Sequence, residues 1–275
     1  MNSMALKSKA KNLAKEKNVT VNEILQNYMF ERLLERVSKS KYKDNFIVKG
    51  GFLLSSIFGI ESRTTIDLDT SIRGIDLEIN NIEAIIKEIM NIEVNDNVTF
   101  KYNGYEEIIE NSQYKGLRIK LTAFLENMKQ ALRIDIATGD IITPKALDYQ
   151  YKLLFEDRSI DIYTYNIESM LSEKIHSIIG NNIFNSRMKD YYDVYYFVEN
   201  KMNDIDIAIL KQAVKNTFQN RGREVGEIKE VFNLIKESAE LEQRFNSYRK
   251  AHTYASDITF TEVIKNIEII FDLLQ

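Results

Sequence analysis

A chain of 275 residues with 44% hydrophobic content is too apolar for global disorder and long enough for one large domain or two smaller ones. Its formal net charge of -4 argues against indiscriminate coating of nucleic acid, and the absence of cysteine removes disulfide and thiolate–metal chemistry. No apolar run approaches the roughly 20 residues of a membrane-spanning helix, and the start lacks a signal-peptide pattern, so a cytoplasmic location without a membrane partner is expected.

Helical spacing predicts a first helix over about Met4 to Lys15. Its lysines at 7, 9, 11, 15 and 17 read as a solvated face before they read as a phosphate patch. A second helix carries Val21, Ile24, Leu25, Tyr28, Met29, Leu33 and Leu34, with Thr20 and Glu23 placed as a capping pair. Phe46-Ile47-Val48 is a short strand, Gly50-Gly51 follows it, and Phe52 to Phe58 is helical. Ile66 to Ile72 reads as a strand and Ile82 to Met90 as a helix. Val98 to Ile109, Leu117 to Leu125 and Ala131 to Ile136 are β-rich, with turn residues such as Asn103-Gly104 expected between strands. From Ile167 onward the period is helical, at 169–179, 188–198, 205–218, 228–238 and 261–274. The expectation is an α+β chain: a mixed-sheet domain over 1–150, then a helical domain over 151–275, with the boundary near Pro144 to Asp161.

The chemistry concentrates in Lys49-Gly50-Gly51, then 15 residues, then Asp67-Leu68-Asp69. Paired glycines opening a helix after a strand leave bare N–H groups for phosphate oxygens. Asp67 and Asp69, two apart on a strand, leave the same face, where they repel one another unless a cation lies between them. Such hard oxygen ligands suit Mg²⁺ or Mn²⁺. An isolated pair of this kind would read as two solvated aspartates. A third carboxylate, Asp135 in Leu132-Arg133-Ile134-Asp135-Ile136, shifts the weight to a metal site: its neighbours Ile134 and Ile136 point the other way, to a core. Asp135 is also the group best placed to help deprotonate an attacking hydroxyl. Lys174 falls inside the apolar stripe of its helix, so it needs an anion, either phosphate or an acid, unless its stem snorkels to the surface. Asp190 and Asp193, three apart, call for a shared cation or a basic partner. Lys49 reads equally as a triphosphate contact or a surface lysine. Arg63 suits phosphate binding or pairing with Asp67 or Asp69. His176 and His252 lack metal-ligand spacing, and the tyrosines at 191, 192, 195 and 196 read as helix core before they read as a base-stacking platform.

Lys49-Gly50-Gly51 with Leu54, Arg63-Thr64-Thr65-Ile66-Asp67-Leu68-Asp69, Glu173-Lys174 and Arg187-Met188-Lys189-Asp190-Tyr191-Tyr192-Asp193 together resemble the signature of the AbiEii/AbiGii toxin family. The resemblance covers roughly Val21 to Val198. It implies a nucleotidyltransferase fold of the DNA polymerase β type and an enzyme dependent on Mg²⁺ or Mn²⁺ that uses an NTP. It also implies a place in bacterial toxin–antitoxin and abortive phage-infection systems. Catalytic residues are then Asp67, Asp69, Asp135, Lys174 and Asp190, the first three as metal ligands; Lys49, Gly50, Gly51, Arg63 and Thr65 bind nucleotide. RNA is the implied acceptor, at the 3′ end of tRNA as in some relatives, and a cognate antitoxin is the implied partner. Gly51 stands where the wider superfamily often has serine, a departure that leaves no hydroxyl for phosphate. Two other readings keep these residues: a small-molecule or protein acceptor, and a nucleotide-binding module without catalysis.

Overall fold

In the computed structural model, which describes residues 1–110 and 114–274, the chain divides into two compact units. The first comprises Met1–Gly139 and Ala146–Thr164, the second Asp140–Lys145 and Tyr165–Gln275.

The first unit opens with α1 (Ser3–Lys17), held at its start by the Asn2 side chain, which accepts from the Ala5 N–H. Leu6, Ala10 and Ala14 bury against α2 (Val21–Lys39), while lysines 7, 9, 11 and 15 stay on the exposed face. Thr20 and Glu23 form the full capping box of α2, each side chain accepting from the other's backbone N–H. β1 (Phe46–Lys49) leads directly into α3 (Gly50–Phe58), followed by β2 (Leu68–Ile72) and α4 (Ile79–Met90). Then come β3 (Val98–Glu110), β4 (Tyr114–Leu125), β5 (Met128–Thr138), β6 (Leu147–Lys152) and β7 (Ser159–Thr164).

These strands make one mixed sheet in the order β3-β4-β5-β2-β1-β7-β6. β5/β2 and β1/β7 are parallel and the remaining neighbours antiparallel. Period-two alternation decides the faces. Leu117, Ile119, Leu121, Leu132, Ile134 and Ile136 are buried, while the residues between them face outward. Asn103-Gly104 is not an interstrand turn. It lies inside β3, where the register with β4 shifts between Tyr102 and Tyr105 and Gly104 takes φ 111°, so the dipeptide makes a bulge that keeps the strand running.

β6 and β7, which the sequence reading passed over, extend the sheet beside β1. Ion pairs tie the segment joining them to α2: Arg158 meets Glu35 through two bonds of 2.9 Å, Arg32 meets Glu156 at 2.7 Å, and the Leu154 N–H donates to Glu31 at 2.9 Å. Burial pushes the Glu31 carboxyl up to about 8.

The second unit is helical: α5 (Ile167–Asn181), α6 (Met188–Lys201), α7 (Ile207–Asn220), α8 (Ile228–Lys236), α9 (Ala239–Ala251) and α10 (Phe260–Leu274). α5 packs on α6 and α7, and α10 on α6, around Leu171, Ile175, Ile178, Phe197, Phe218 and Ile267. No helix among the described residues is long and apolar enough to cross a membrane.

Candidate active site

The acids singled out in the first unit stand on adjacent strands. β2 and β5 run parallel with Asp69 the register partner of Asp135, so both side chains leave the same sheet face as neighbours. Asp67, one residue ahead of β2, is on that side by alternation. Lys49, the last residue of β1, is the register partner of Asp69, and Arg118 on β4 is the register partner of Asp135. With Glu106 opposite Arg118, a row of charged side chains crosses five strands in register: Glu106, Arg118, Asp135, Asp69, Lys49.

The glycines fit this row for a steric reason. Gly50 has φ 65°, and a Cβ there would lie 2.0 Å from Asp69 Oδ2. Only glycine lets the start of α3 pass so near the carboxylate. The Gly51 N–H points at the same oxygen from 3.4 Å. A Cβ on Gly51 would meet Thr65 at 2.9 Å and the Arg63 guanidinium at 3.4 Å. Thr65 shapes the approach to Asp67, donating from Oγ1 to the Asp67 carbonyl at 3.1 Å. Arg63 is only 5% exposed and donates to the Thr64 carbonyl, with its guanidinium beside Gly51. The N-cap residue Lys49 makes no side-chain cap bond to the first turn of α3. The only side-chain acceptor on that turn among the described bonds is Asp69, at the long 3.4 Å distance from Gly51, so the positive end of the helix dipole faces the carboxylate row.

Arg118 was not anticipated from the sequence. Its Nε donates to Asp135 Oδ1 at 2.8 Å and its Nη2 to Oδ2 at 2.7 Å, while Nη2 also lies 3.9 Å from Asp67 Oδ2. Arg133 approaches Asp67 Oδ1 to 3.9 Å from the other side. A signal existed in the outward cations of Leu117-Arg118-Ile119-Lys120, but only strand register assigns their partners. With Arg118 between Asp135 and Asp67, no three acidic or histidine side chains among the described residues form a closed metal-binding group.

The donor set nevertheless fits a hard divalent ion. Asp67 Oδ1 is buried and accepts no hydrogen bond. Burial, then the charge of Asp135, raises the Asp67 pKa against the opposing pull of Arg118. A cation beside three such carboxylates would relieve that strain.

Lys174 and Asp190 lie in the second unit. Lys174, from α5, donates to Asp190 Oδ1 at 2.8 Å and meets Asp193 Oδ2 at 2.9 Å, both acids on α6 and both 1% exposed. Ser177 donates to Asp190 Oδ2 at 2.6 Å and the Arg187 Nε at 3.1 Å. Burial would raise the Asp190 carboxyl, but Lys174 and Arg187 overcome it and hold the group down at about 2. Lys174 is thus the shared cation of the two aspartates. Tyr191 and Tyr192 are helix core. His176 lies edge-on to Phe218, and burial with the nearby Arg221 and Arg223 lowers it to about 4.

A model of the family described as the nucleotidyl transferase AbiEii toxin of type IV toxin–antitoxin systems matches residues 32–266. Among solved structures, one from H. pylori assigned as a nucleotidyltransferase aligns with a TM-score of 0.50 at 11% identity, covering 93% of this chain and 96% of that one. JHP933 from Helicobacter pylori aligns with a TM-score of 0.49 at 12% identity, over 92% of this chain and 93% of that one. No curated protein matches the chain. The structural likeness speaks to the fold, which is nucleotidyltransferase-like, and the family match to the class of protein.

Proposed function

The chain belongs to the AbiEii family of nucleotidyltransferase toxins of type IV toxin–antitoxin systems, and from that premise we propose that it transfers a nucleotide from an NTP to RNA, at the 3′ acceptor end of tRNA, and so blocks translation. The observation that carries this reading is the register pairing of Asp69 with Asp135, with Asp67 two residues upstream and the Gly50–Gly51 turn against Asp69.

Asp67, Asp69 and Asp135 would hold Mg²⁺ or Mn²⁺. The ion would supply charge for the developing pyrophosphate and acidify the acceptor hydroxyl. Backbone N–H groups at the start of α3 receive triphosphate oxygens, that of Gly51 by leaving its long 3.4 Å contact with Asp69, and Lys49 adds a point charge at the same helix start. Arg63 and Thr65 act by fixing the loop that presents Asp67. The hydroxyl oxygen of the RNA end attacks the α-phosphorus, its proton passes to Asp135, and the bond to pyrophosphate breaks. For Lys174 and Asp190 the ion-pair geometry supports a positioning role, since pulling Lys174 onto a phosphate would strand two buried carboxylates. A cognate antitoxin, a cytoplasmic site of action and a part in phage defence complete the proposal.

The test is incorporation of α-labelled NTPs, each in turn, into total cellular RNA with Mg²⁺. Label in RNA with the native chain and none with Asp69→Ala supports the reading. Label confined to protein or small molecules overturns the RNA acceptor, and label that persists in Asp69→Ala overturns the site.

A further inference from the structure

We propose that Arg118 is a positioning residue of this centre: a resident counter-cation that fixes the Asp135 carboxylate and competes with a divalent ion for Asp135 and Asp67. The inference rests on the metal-assisted reading above and adds to it a residue that controls metal uptake.

The geometry is that of a charge-assisted fork. Two guanidinium nitrogens meet the two oxygens of Asp135 at 2.8 and 2.7 Å, and one of them also faces Asp67 at 3.9 Å. Bidentate pairing of this kind holds a carboxylate more firmly than a point charge does. Strand register places the two side chains side by side, because Arg118 and Asp135 are direct partners across β4 and β5. The competing acid on the other side, Glu106, is engaged by Lys120, which leaves Arg118 committed to the aspartates. A guanidinium stays protonated throughout the working pH range, so the competing charge is permanent.

Two consequences follow. A cation that takes Asp135 must displace a permanent positive charge already seated on it, so uptake of metal is weaker than three carboxylates alone would give. The displaced guanidinium stays tethered to β4 and is as good a partner for phosphate oxygens as for a carboxylate, which couples metal uptake to arrival of the triphosphate.

Mn²⁺ titration of the full chain without nucleotide, with free Mn²⁺ read by its paramagnetic resonance signal, tests this. Loss of one adjacent positive charge in Arg118→Ala should tighten Mn²⁺ binding about tenfold or more. Arg118→Lys, which keeps the charge and loses the fork, should fall between. Arg118→Ala combined with Asp135→Asn should lose the gain. Thermal melts of each variant report that the sheet is intact. Mn²⁺ affinity in Arg118→Ala equal to or weaker than native overturns the competition and leaves the centre standing. Absence of Mn²⁺ binding in both chains overturns the metal centre together with this inference.

Discussion

Asp190 and Asp193 in the helical unit and Asp67, Asp69 and Asp135 in the sheet unit are built from the same materials, carboxylates and basic side chains, and treat them in opposite ways. In the helical unit both acids are 1% exposed and share Lys174, and Ser177 and Arg187 satisfy the remaining oxygen of Asp190. The pairing lowers the Asp190 carboxyl to about 2 despite its burial. In the sheet unit Asp67 and Asp135 remain 24% and 21% exposed at their side chains, Arg118 satisfies Asp135, and Asp67 is left with a buried oxygen that accepts no hydrogen bond. There the shift is upward, from burial and from the neighbouring acid. The sign of the shift separates Asp190, a buried carboxylate whose pairing stabilises the fold, from Asp67, a carboxylate held against burial and the charge of its neighbour.

The largest way to break the comparison is Lys174→Met. Removing the shared cation strands two buried carboxylates and should cost about 3–5 kcal/mol, read as a fall in the urea midpoint by circular dichroism. Asp135→Asn, at the half-buried sheet cluster, should lower that midpoint much less while abolishing transfer. Equal destabilisation by both would show that the two clusters do the same work. Next in size is Gly50→Ala, which combines φ 65° with a Cβ 2.0 Å from Asp69 Oδ2 and should cost about 1–3 kcal/mol. Gly222→Ala is the control, with φ 68° and nothing within 4 Å; it should lose less and keep transfer. If both glycine variants lost transfer alike, the close approach of α3 to Asp69 would not be what matters.

Much of the sheet-unit cluster was legible because its signals are local. Gly50-Gly51 after a strand, Asp67 and Asp69 two apart, and Asp135 between core isoleucines each follow from alternation and chain direction. What escaped depends on register or packing. Arg118 finds Asp135 only because β4 lies beside β5. Lys174 was recognisable as a lysine in need of an anion, but choosing Asp190 and Asp193 requires knowing that α5 packs on α6. β6 and β7 were passed over because Pro144 and the charged turn Glu156-Asp157-Arg158 look like a linker, whereas Arg158 and Glu156 bind α2. α9 escaped because only Leu241 and Phe245 are buried along it, too few to mark a helical period. Asn103-Gly104 has the composition of a turn and serves as a bulge, since its flanking strand residues continue to pair with β4.

Acid titration sharpens the contrast. The folded Asp190 carboxyl, at about 2, lies below its ordinary 3.8, so its contribution is complete above pH 3.8 and is lost as pH falls toward 2. That contribution is roughly 2 kcal/mol, and Asp190→Asn should remove it at pH 7 and flatten the decline of the thermal midpoint through this window. Asp67 carries the smaller effect and the opposite sign. Its folded pKa lies above 3.8, so the folded state binds the proton more readily, and the penalty is complete above the folded value and relieved as pH falls through it. Asp67→Asn should therefore leave stability at pH 7 equal or higher by less than about 1 kcal/mol, with transfer lost. Calorimetric melts at pH 7 and at about pH 2 read both signs. An Asp67→Asn chain that melted well below native at pH 7 would mean the carboxylate is paired and stabilising after all, and the two clusters would no longer differ in kind.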